Sequence, residues 1–406
     1  MQSDTLARGM TGTSSRPFPP RAQNDVASVL HVVPSVAPHH GGPSFAVRAL
    51  ASAQRALGMR VFVATTDDGQ PRHGEGFDED GVEYGYFRRD LPGVWKPSLA
   101  LRRWLRTSAS RFDVMHLHSL FCFSTAIGGR AAMHAGVPYV LSPHGALDPW
   151  SLRQSAWKKR TYLALAEGRT LDGAAALHVT TTAEATALKA FGVRAPLFVV
   201  PLGVPPETFE ITRAPEHPSL RLVFLGRLHP KKGLDLLLRA LAAARAEGAD
   251  VELAIAGDGA DHRRELETLV QELKLGAAVR FVGHVEGAAK ARLLSDADAF
   301  VLTSFQENFG IAVAEAMAAG LPVIVSEEVG LASLVVEAAA GEVVPLDVAA
   351  IAAAIRRASA DPAARRAAGD RARHAAKSFS WEQTAQRLRE VYSEVIARGS
   401  RGGERP

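Results

Sequence analysis

The chain has one cysteine, Cys122, in 406 residues. No disulfide can form within it, which suits a reducing compartment. No uninterrupted apolar run reaches the ~20 residues of a membrane span. The longest candidate, 310–325, is broken by Glu315 and by Gly320-Leu321-Pro322. The opening residues, 1–24, lack the apolar segment of a secretory signal; rich in Ser, Thr, Arg and Pro, they read as a disordered leader. Nor is one charge in large excess. The formal net charge is +4 and the pI of 9.3 reflects a modest arginine surplus, which permits an anionic partner without specifying one. Hydrophobic and charged residues make up 47% and 22%, close to the soluble globular average. A disulfide scaffold, a membrane bundle and a wholly disordered chain are excluded. What remains is a cytoplasmic globular protein long enough for two domains.

Short β-branched runs alternate with amphipathic stretches from residue 25 onward. "VASVLHVV", "RVFVATT", "DVMHLHS", "PYVLSPHG", "AALHVTT" and "LFVVPLG" read as strands with helices between them. Such an order predicts parallel strands covered on both faces, a doubly wound sheet over 25–204. The pattern lapses over 205–218, where prolines cluster and no period holds, and this predicts a linker. A second series begins with "LRLVFLG" and continues through "DVELAIAG", "AVRFVGHV", "ADAFVLTS", "LPVIVS" and "AGEVVPL". It predicts a second α/β domain over 219–380. Two such domains leave a cleft between the C-terminal edges of their sheets, where these sheets bind ligands. The closing segment 381–398 sets Trp381, Ala385, Leu388, Val391 and Val395 at helical spacing; it is expected to pack back on the first domain.

Three stretches carry candidate chemistry. In "FLGRLHPKKGLD" a strand ends at Gly226, and Arg227, Lys231 and Lys232 precede a helix start. Cations beside free helix N–H groups suit a diphosphate, against the plainer reading of a solvated basic loop. In "QENFGIAVAEAMAAG", Glu307 falls in a loop and Glu315 about two turns into the following helix. A carboxylate in an apolar helix needs a partner, which is either a protein side chain or a ligand hydroxyl. In "APHHGGPSFAV", Gly41 and Gly42 occupy a strand-to-helix turn, where backbone amides can approach a phosphate; simple turn chemistry explains them equally well.

These motifs, with "GDG" and "FVGHV", resemble a family 4 retaining glycosyltransferase of the GT-B fold, over most of the chain from Val26 to the final helix. Glu307 and Glu315 match that family's E-x7-E pair. The resemblance implies that Arg227 and Lys232 hold a nucleoside diphosphate, that Glu307 contacts the donor sugar and that Glu315 holds the ribose. It implies that the backbone of Asn308, Phe309, Gly310 and Ile311 cradles phosphate and sugar, with Gly226 beside them. Gly283, His284 and Val285 would lie against the base. His144, in "LSPHGALDPW", would contact the transferred sugar. Asn308 stands where many relatives carry glycine, and "SEEVGLASLVVEAAAGEV" departs from the usual glycine-rich pattern. On the acceptor side, His118 and Glu184 are candidates, although a first-turn glutamate is also an ordinary helix-dipole partner. The implied activity is hexose transfer from a nucleoside-diphosphate sugar to a saccharide or lipid-linked acceptor, in exopolysaccharide, capsule or O-antigen assembly.

No cofactor and no metal are expected. His116 and His118 alternate along one strand, but no nearby acidic or cysteine ligand completes a site. Asp296-Ala297-Asp298 falls where a helix hands over to a strand, and capping explains both aspartates. "GDG" at Gly257 is no dinucleotide fingerprint. Trp150 and Trp157 interleave with Arg153, Lys158, Lys159 and Arg160. Over 150–170 that suits peripheral contact with an anionic inner membrane face, as it also suits a helix packing on its own sheet. No nucleic-acid partner is implied. A 2-epimerase of the same fold and a non-catalytic sugar-nucleotide binder are the rival readings.

Overall fold

A computed structural model describes residues 28–402 apart from 38–40, 69–72, 80, 92, 94, 154–155 and 216. The expected leader over 1–24 lies outside the described residues. The first lobe carries β1 (Ser28–Val33), β2 (Arg60–Thr66), β3 (Gly74–Glu79), β4 (Val82–Phe87), β5 (Val114–His118), β6 (Tyr139–Ser142), β7 (Ala176–Val179) and β8 (Leu197–Val199). They form one sheet in the order β3-β4-β2-β1-β5-β6-β7-β8. The second lobe carries β9 (Leu220–Leu225), β10 (Val251–Ala256), β11 (Val279–Gly283), β12 (Ala299–Leu302), β13 (Val323–Ser326) and β14 (Gly341–Val344). Their order is β11-β10-β9-β12-β13-β14, parallel throughout.

Burial explains the strand composition. Every residue of β1, β5, β6 and β7 is buried, as required of strands with helices on both faces. The expected pair of doubly wound sheets is therefore present. One element departs from it: β3 and β4 pair antiparallel at the sheet edge. "GEGFDEDGVEYGYF" alternates glycine, acid and aromatic, as fits an edge hairpin. The helical stretch after β6 also departs from a single helix. Ala156–Tyr162 passes through a π-helical turn, Leu163–Glu167, into Gly168–Asp172, and Pro149–Arg153 is helical before them.

Strand order reverses between β1 and β5 in one sheet, and between β9 and β12 in the other. The crevice at such a point is where loops from adjacent strands diverge and a ligand fits. The loops leaving β1, β5, β6, β9 and β12 hold Gly41-Gly42, Ser119, His144, Gly226-Arg227 and Glu307, so the fold gathers them at one cleft.

The chain crosses between lobes twice, side by side. The Val204 amide donates to the Phe379 carbonyl at 2.8 Å, and Val204 bridges Ser380. The closing helix, Trp381–Gly402, then runs against the first lobe's helix Gly42–Ala56. Leu388, Val391, Tyr392 and Val395 are buried there, and Trp381 meets Phe45 edge-on at 6.4 Å.

Candidate active site

The cationic corner is built by the turn after β9. Gly226 ends the strand, Pro230–Lys232 form one 3-10 turn, and Gly233 turns left-handed before the helix Leu234–Ala246. Nothing but glycine fits at Gly233, because a Cβ there would stand 2.1 Å from the Thr303 carbonyl oxygen. Lys231 and Lys232 are thus pinned against the end of β12. Lys232 pairs with Glu307, and Lys231 donates to Gln306 Oε1 at 3.4 Å. Burial would raise the Glu307 carboxyl, but Lys232, Lys231 and Arg227 together hold it below the ordinary range. The Lys231 ammonium is lowered by its own burial, with Glu307 opposing.

Across the cleft stands the glycine pair. A Cβ on Gly41, at φ +79°, would lie 3.3 Å from Arg227 Nε, and one on Gly42 would lie 3.8 Å from Ile311 Cδ1. Those two glycines therefore face Arg227 and the first residue of the helix Ile311–Ala318. That helix begins at Gly310 in the left-handed region with no side-chain cap, leaving first-turn N–H groups free for an anion. Phe309 turns its ring away, edge-on to Phe379 at 5.5 Å, so only its backbone faces the turn.

Glu315 has a protein partner, the alternative that sequence left open. Lys290 Nζ donates to its Oε1 at 2.7 Å. The carboxylate side chain is 7% exposed and Lys290 25%, and Lys290 also stands 5.9 Å from the Phe45 ring of the other lobe. The pair thus closes the rim of the cleft. Among the described residues Oε2 accepts no hydrogen bond. Gly283 adopts φ +74°, and exposed His284 pairs with Glu286 at 2.8 Å, with Val285 half-buried beside it.

Two expected acceptor-side residues lie elsewhere than that reading placed them. Glu184 is 3% exposed. Its carboxylate accepts from the amides of Gly145 and Thr180 at 2.9 and 2.8 Å, and from Asn308 Nδ2 at 3.1 Å. Burial raises this carboxyl, against those donors. Glu184 is a tie between lobes, reached by Asn308, which also donates to Thr180 Oγ1 at 3.0 Å. His118 is 1% exposed and sits beneath His144, whose Nε2 lies 3.2 Å from His118 Nδ1. His144, at φ +53°, is the half-buried member that reaches the cleft.

Sequence reasoning missed four contacts: Asn308 with Glu184, Lys290 with Glu315, Gln306 donating to Asp148, and His31 beside His116 and His118. The last adds a third imidazole where only an acidic or cysteine ligand was sought: ligand atoms of His31, His116 and His118 lie within 4.8 Å of one another. Those ring nitrogens instead hydrogen-bond to one another and to neighbours. Asp298 of the D-x-D triplet accepts the Arg221 amide at 2.8 Å, which fixes it structurally.

Two lobes facing a cationic, glycine-lined cleft define a GT-B transferase. Residues 41–203 match the family described as "Glycosyl transferase 4-like domain", and 207–375 match "Glycosyl transferases group 1". The D-inositol 3-phosphate glycosyltransferase of Kineococcus radiotolerans is 30% identical over 88% of this chain and 91% of its own. That of a Nocardioides species is 30% identical over 77% and 74%. Among solved structures, Anabaena HepE in complex with UDP and glucose matches with a TM-score of 0.73 and 21% identity, over 91% of this chain and 100% of that one. Sucrose-phosphate synthase from Thermosynechococcus elongatus matches at 0.71 and 23%, over 91% and 99%. The chain belongs to the group 1, family 4 glycosyltransferases, and is a hexosyl-transferring enzyme that draws on a nucleotide sugar.

Proposed function

We propose that the protein moves a hexose from a nucleoside-diphosphate sugar to a saccharide or lipid-linked hydroxyl with retention of anomeric configuration, without a metal. The observation that carries this reading is the facing of Arg227 and the uncapped helix start at Ile311 against Gly41-Gly42, with Lys232, from the same turn as Arg227, held on Glu307. Positive charge there would meet the diphosphate where negative charge develops as the glycosidic bond breaks. Built-in cations would take the part a divalent ion plays elsewhere. Glu307, held ionised by Lys232, would accept donor-sugar hydroxyls, and Glu315 would accept the ribose through Oε2. Gly283, His284 and Val285 would border the base. Attack would come from the face the diphosphate leaves, with a phosphate oxygen taking the acceptor proton.

The setting we propose is polysaccharide assembly at the cytoplasmic face of a membrane, with peripheral contact over 150–170. Trp157 is 69% and Leu165 78% exposed, beside Lys158 and Arg160, which suits an anionic bilayer surface. Among the described residues no helix is long and apolar enough to cross a membrane. The names of the two inositol-phosphate relatives add D-inositol 3-phosphate to the acceptors worth offering. A thermal-shift screen against UDP, GDP, ADP and their sugars tests the donor site. A cognate ligand at a hundredfold its Kd stabilises by about 2.7 kcal/mol. Proton NMR of the product then reads its anomeric configuration. An inverted product, or a new sugar nucleotide formed from donor alone, would overturn the retaining-transferase reading.

A further inference from the structure

Five imidazoles lie beneath the cleft, and their hydrogen bonds join into one line. From the cleft inward, His144 Nε2 is 3.2 Å from His118 Nδ1, and His118 Nε2 is 2.9 Å from His31 Nδ1. His31 Nε2 is 2.7 Å from Gln54 Oε1, and Gln54 Nε2 is 3.1 Å from the Tyr392 hydroxyl. That hydroxyl is 2.6 Å from His116 Nδ1, and His116 Nε2 is 2.7 Å from Ser142 Oγ. Ser142 Oγ is 2.8 Å from His178 Nδ1, and His178 Nε2 is 2.8 Å from the Val200 carbonyl oxygen. His31, Gln54, His116 and Tyr392 are fully enclosed, so each proton in the line is settled by its neighbours.

A backbone carbonyl can only accept. His178 therefore carries its proton on Nε2, and its bare Nδ1 must accept from Ser142. Ser142 then accepts from His116 Nε2, His116 Nδ1 accepts from Tyr392, and Tyr392 accepts from the Gln54 amide. The Gln54 oxygen accepts from His31 Nε2, His31 Nδ1 from His118 Nε2, and His118 Nδ1 from His144 Nε2. Turning the Gln54 amide over would reverse every bond beyond it and aim a lone pair of His178 at the Val200 oxygen. A doubly protonated ring could relieve that clash, but burial lowers His31 and His178 to about 4 and His144 to about 3. His116 and His118 are lowered well below the ordinary value, by burial first and by neighbouring rings second.

We infer that this line of eight hydrogen bonds fixes His144 as the neutral Nε2–H tautomer with an unprotonated Nδ1. His118, His31, Gln54, Tyr392 and His116 are positioning residues that act through His144. Among the described residues no hydrogen bond reaches its Nδ1, so that atom is left to accept from a ligand hydroxyl. A proton delivered to it cannot travel inward, because the line ends on an amide oxygen that takes none. His144 is an acceptor at the cleft and not the mouth of a proton relay. The tautomer stands on these contacts alone; its consequence for transfer rests on the donor site proposed above.

The test is a long-range proton–nitrogen correlation spectrum of the whole chain with 15N-labelled histidine, recorded near pH 7. The five rings are expected neutral and all in the Nε2–H form. An Nδ1–H or doubly protonated His144 overturns the proposal. So does added zinc chloride that shifts His31, His116 and His118 together while the protein stays folded. Tyr392→Phe then cuts the line, frees Gln54 to turn, and lets the outer rings run either way. His144 should show both tautomers, with kcat for transfer down about two- to tenfold, the worth of one hydrogen bond, and donor KM little changed. A purely structural Tyr392 would lower the melting temperature and leave His144 in a single tautomer, which refutes the proposal. Should that variant not fold, the wild-type spectrum alone decides the assignment. Neither spectrum depends on turnover, so an inactive wild type with five Nε2–H rings would sink the donor-site reading and not this one.

Discussion

Replacing Lys232 separates its two roles, partner of Glu307 and cation for the diphosphate. The two side chains are only 12% and 19% exposed. Removing one member of a buried pair costs ~3–5 kcal/mol, because a charge is left without compensation. Here Lys231 and Arg227 remain near the carboxylate and offset part of that loss, so Lys232→Ala is expected to cost about 2–3 kcal/mol. Catalysis should fall further. Losing one preorganised group at the developing charge costs about 10²–10³ in kcat. Lys232→Met with Glu307→Gln tells the effects apart. Both charges go while shape is kept, so stability should return to within about 1 kcal/mol of wild type. Transfer should stay depressed. Guanidinium melts followed by fluorescence give the first quantity, with the transition treated lobe by lobe because two lobes need not unfold together. Release of the nucleoside diphosphate with saturating donor and acceptor gives the second. A double variant within about threefold of wild-type kcat, less than 1 kcal/mol of barrier, refutes the placing of Lys232 at the leaving group.

Three further outcomes follow from the geometry. Asp148 is pushed up to about 6, by burial first and by Glu184 second. A folded value above the unfolded one means stability is fully present below pH ~4 and is lost as pH rises through ~6. Asp148→Asn, still able to accept from Gln306, should melt higher than wild type at pH 7–8 and converge with it below pH ~4; parallel melting curves at all pH values count against the shift. Gly41→Ala forces a side chain into φ +79° and to within 3.3 Å of Arg227 Nε. It should cost roughly 1–2 kcal/mol and raise donor KM, and an unchanged KM would show that the guanidinium does not meet the donor. Lys290→Met strands the Glu315 carboxylate and should destabilise by ~2–3 kcal/mol; adding Glu315→Gln should recover most of that, and a non-recovering double variant argues against the pairing.

The architecture was legible because each buried strand is a continuous β-branched run, and because turns, glycines and prolines punctuate those runs at regular intervals. The β3–β4 hairpin was not, since glycine and acid interrupt its pattern and only the partner strand reveals it. Loop positions of the site were legible for a related reason. A strand's C-terminal edge tells where Arg227, Glu307 and His144 emerge. Which side chains then meet depends on two lobes closing on each other, information that no local period carries. Asp148 with Gln306 and Asn308 with Glu184 are of this kind, while Lys290 with Glu315 joins two helices of the second lobe that are far apart in any local period. His31 shows the same limit within one sheet. It reads as one more apolar-strand residue until β1 pairs with β5 and sets it beside His116, in register.

The returning helix has a consequence for how the protein is made. Residues 28–204 can pair their strands as soon as they leave the ribosome, yet Tyr392 and the apolar stripe that roof His31 and His116 arrive only after the whole second lobe has been translated. Until then an oily groove along Gly42–Ala56 and a row of imidazoles stand open to water and to other nascent chains. Shortening the protein at its far end should therefore injure its beginning: loss of 381–402 would leave the second sheet intact and make the first the aggregating part.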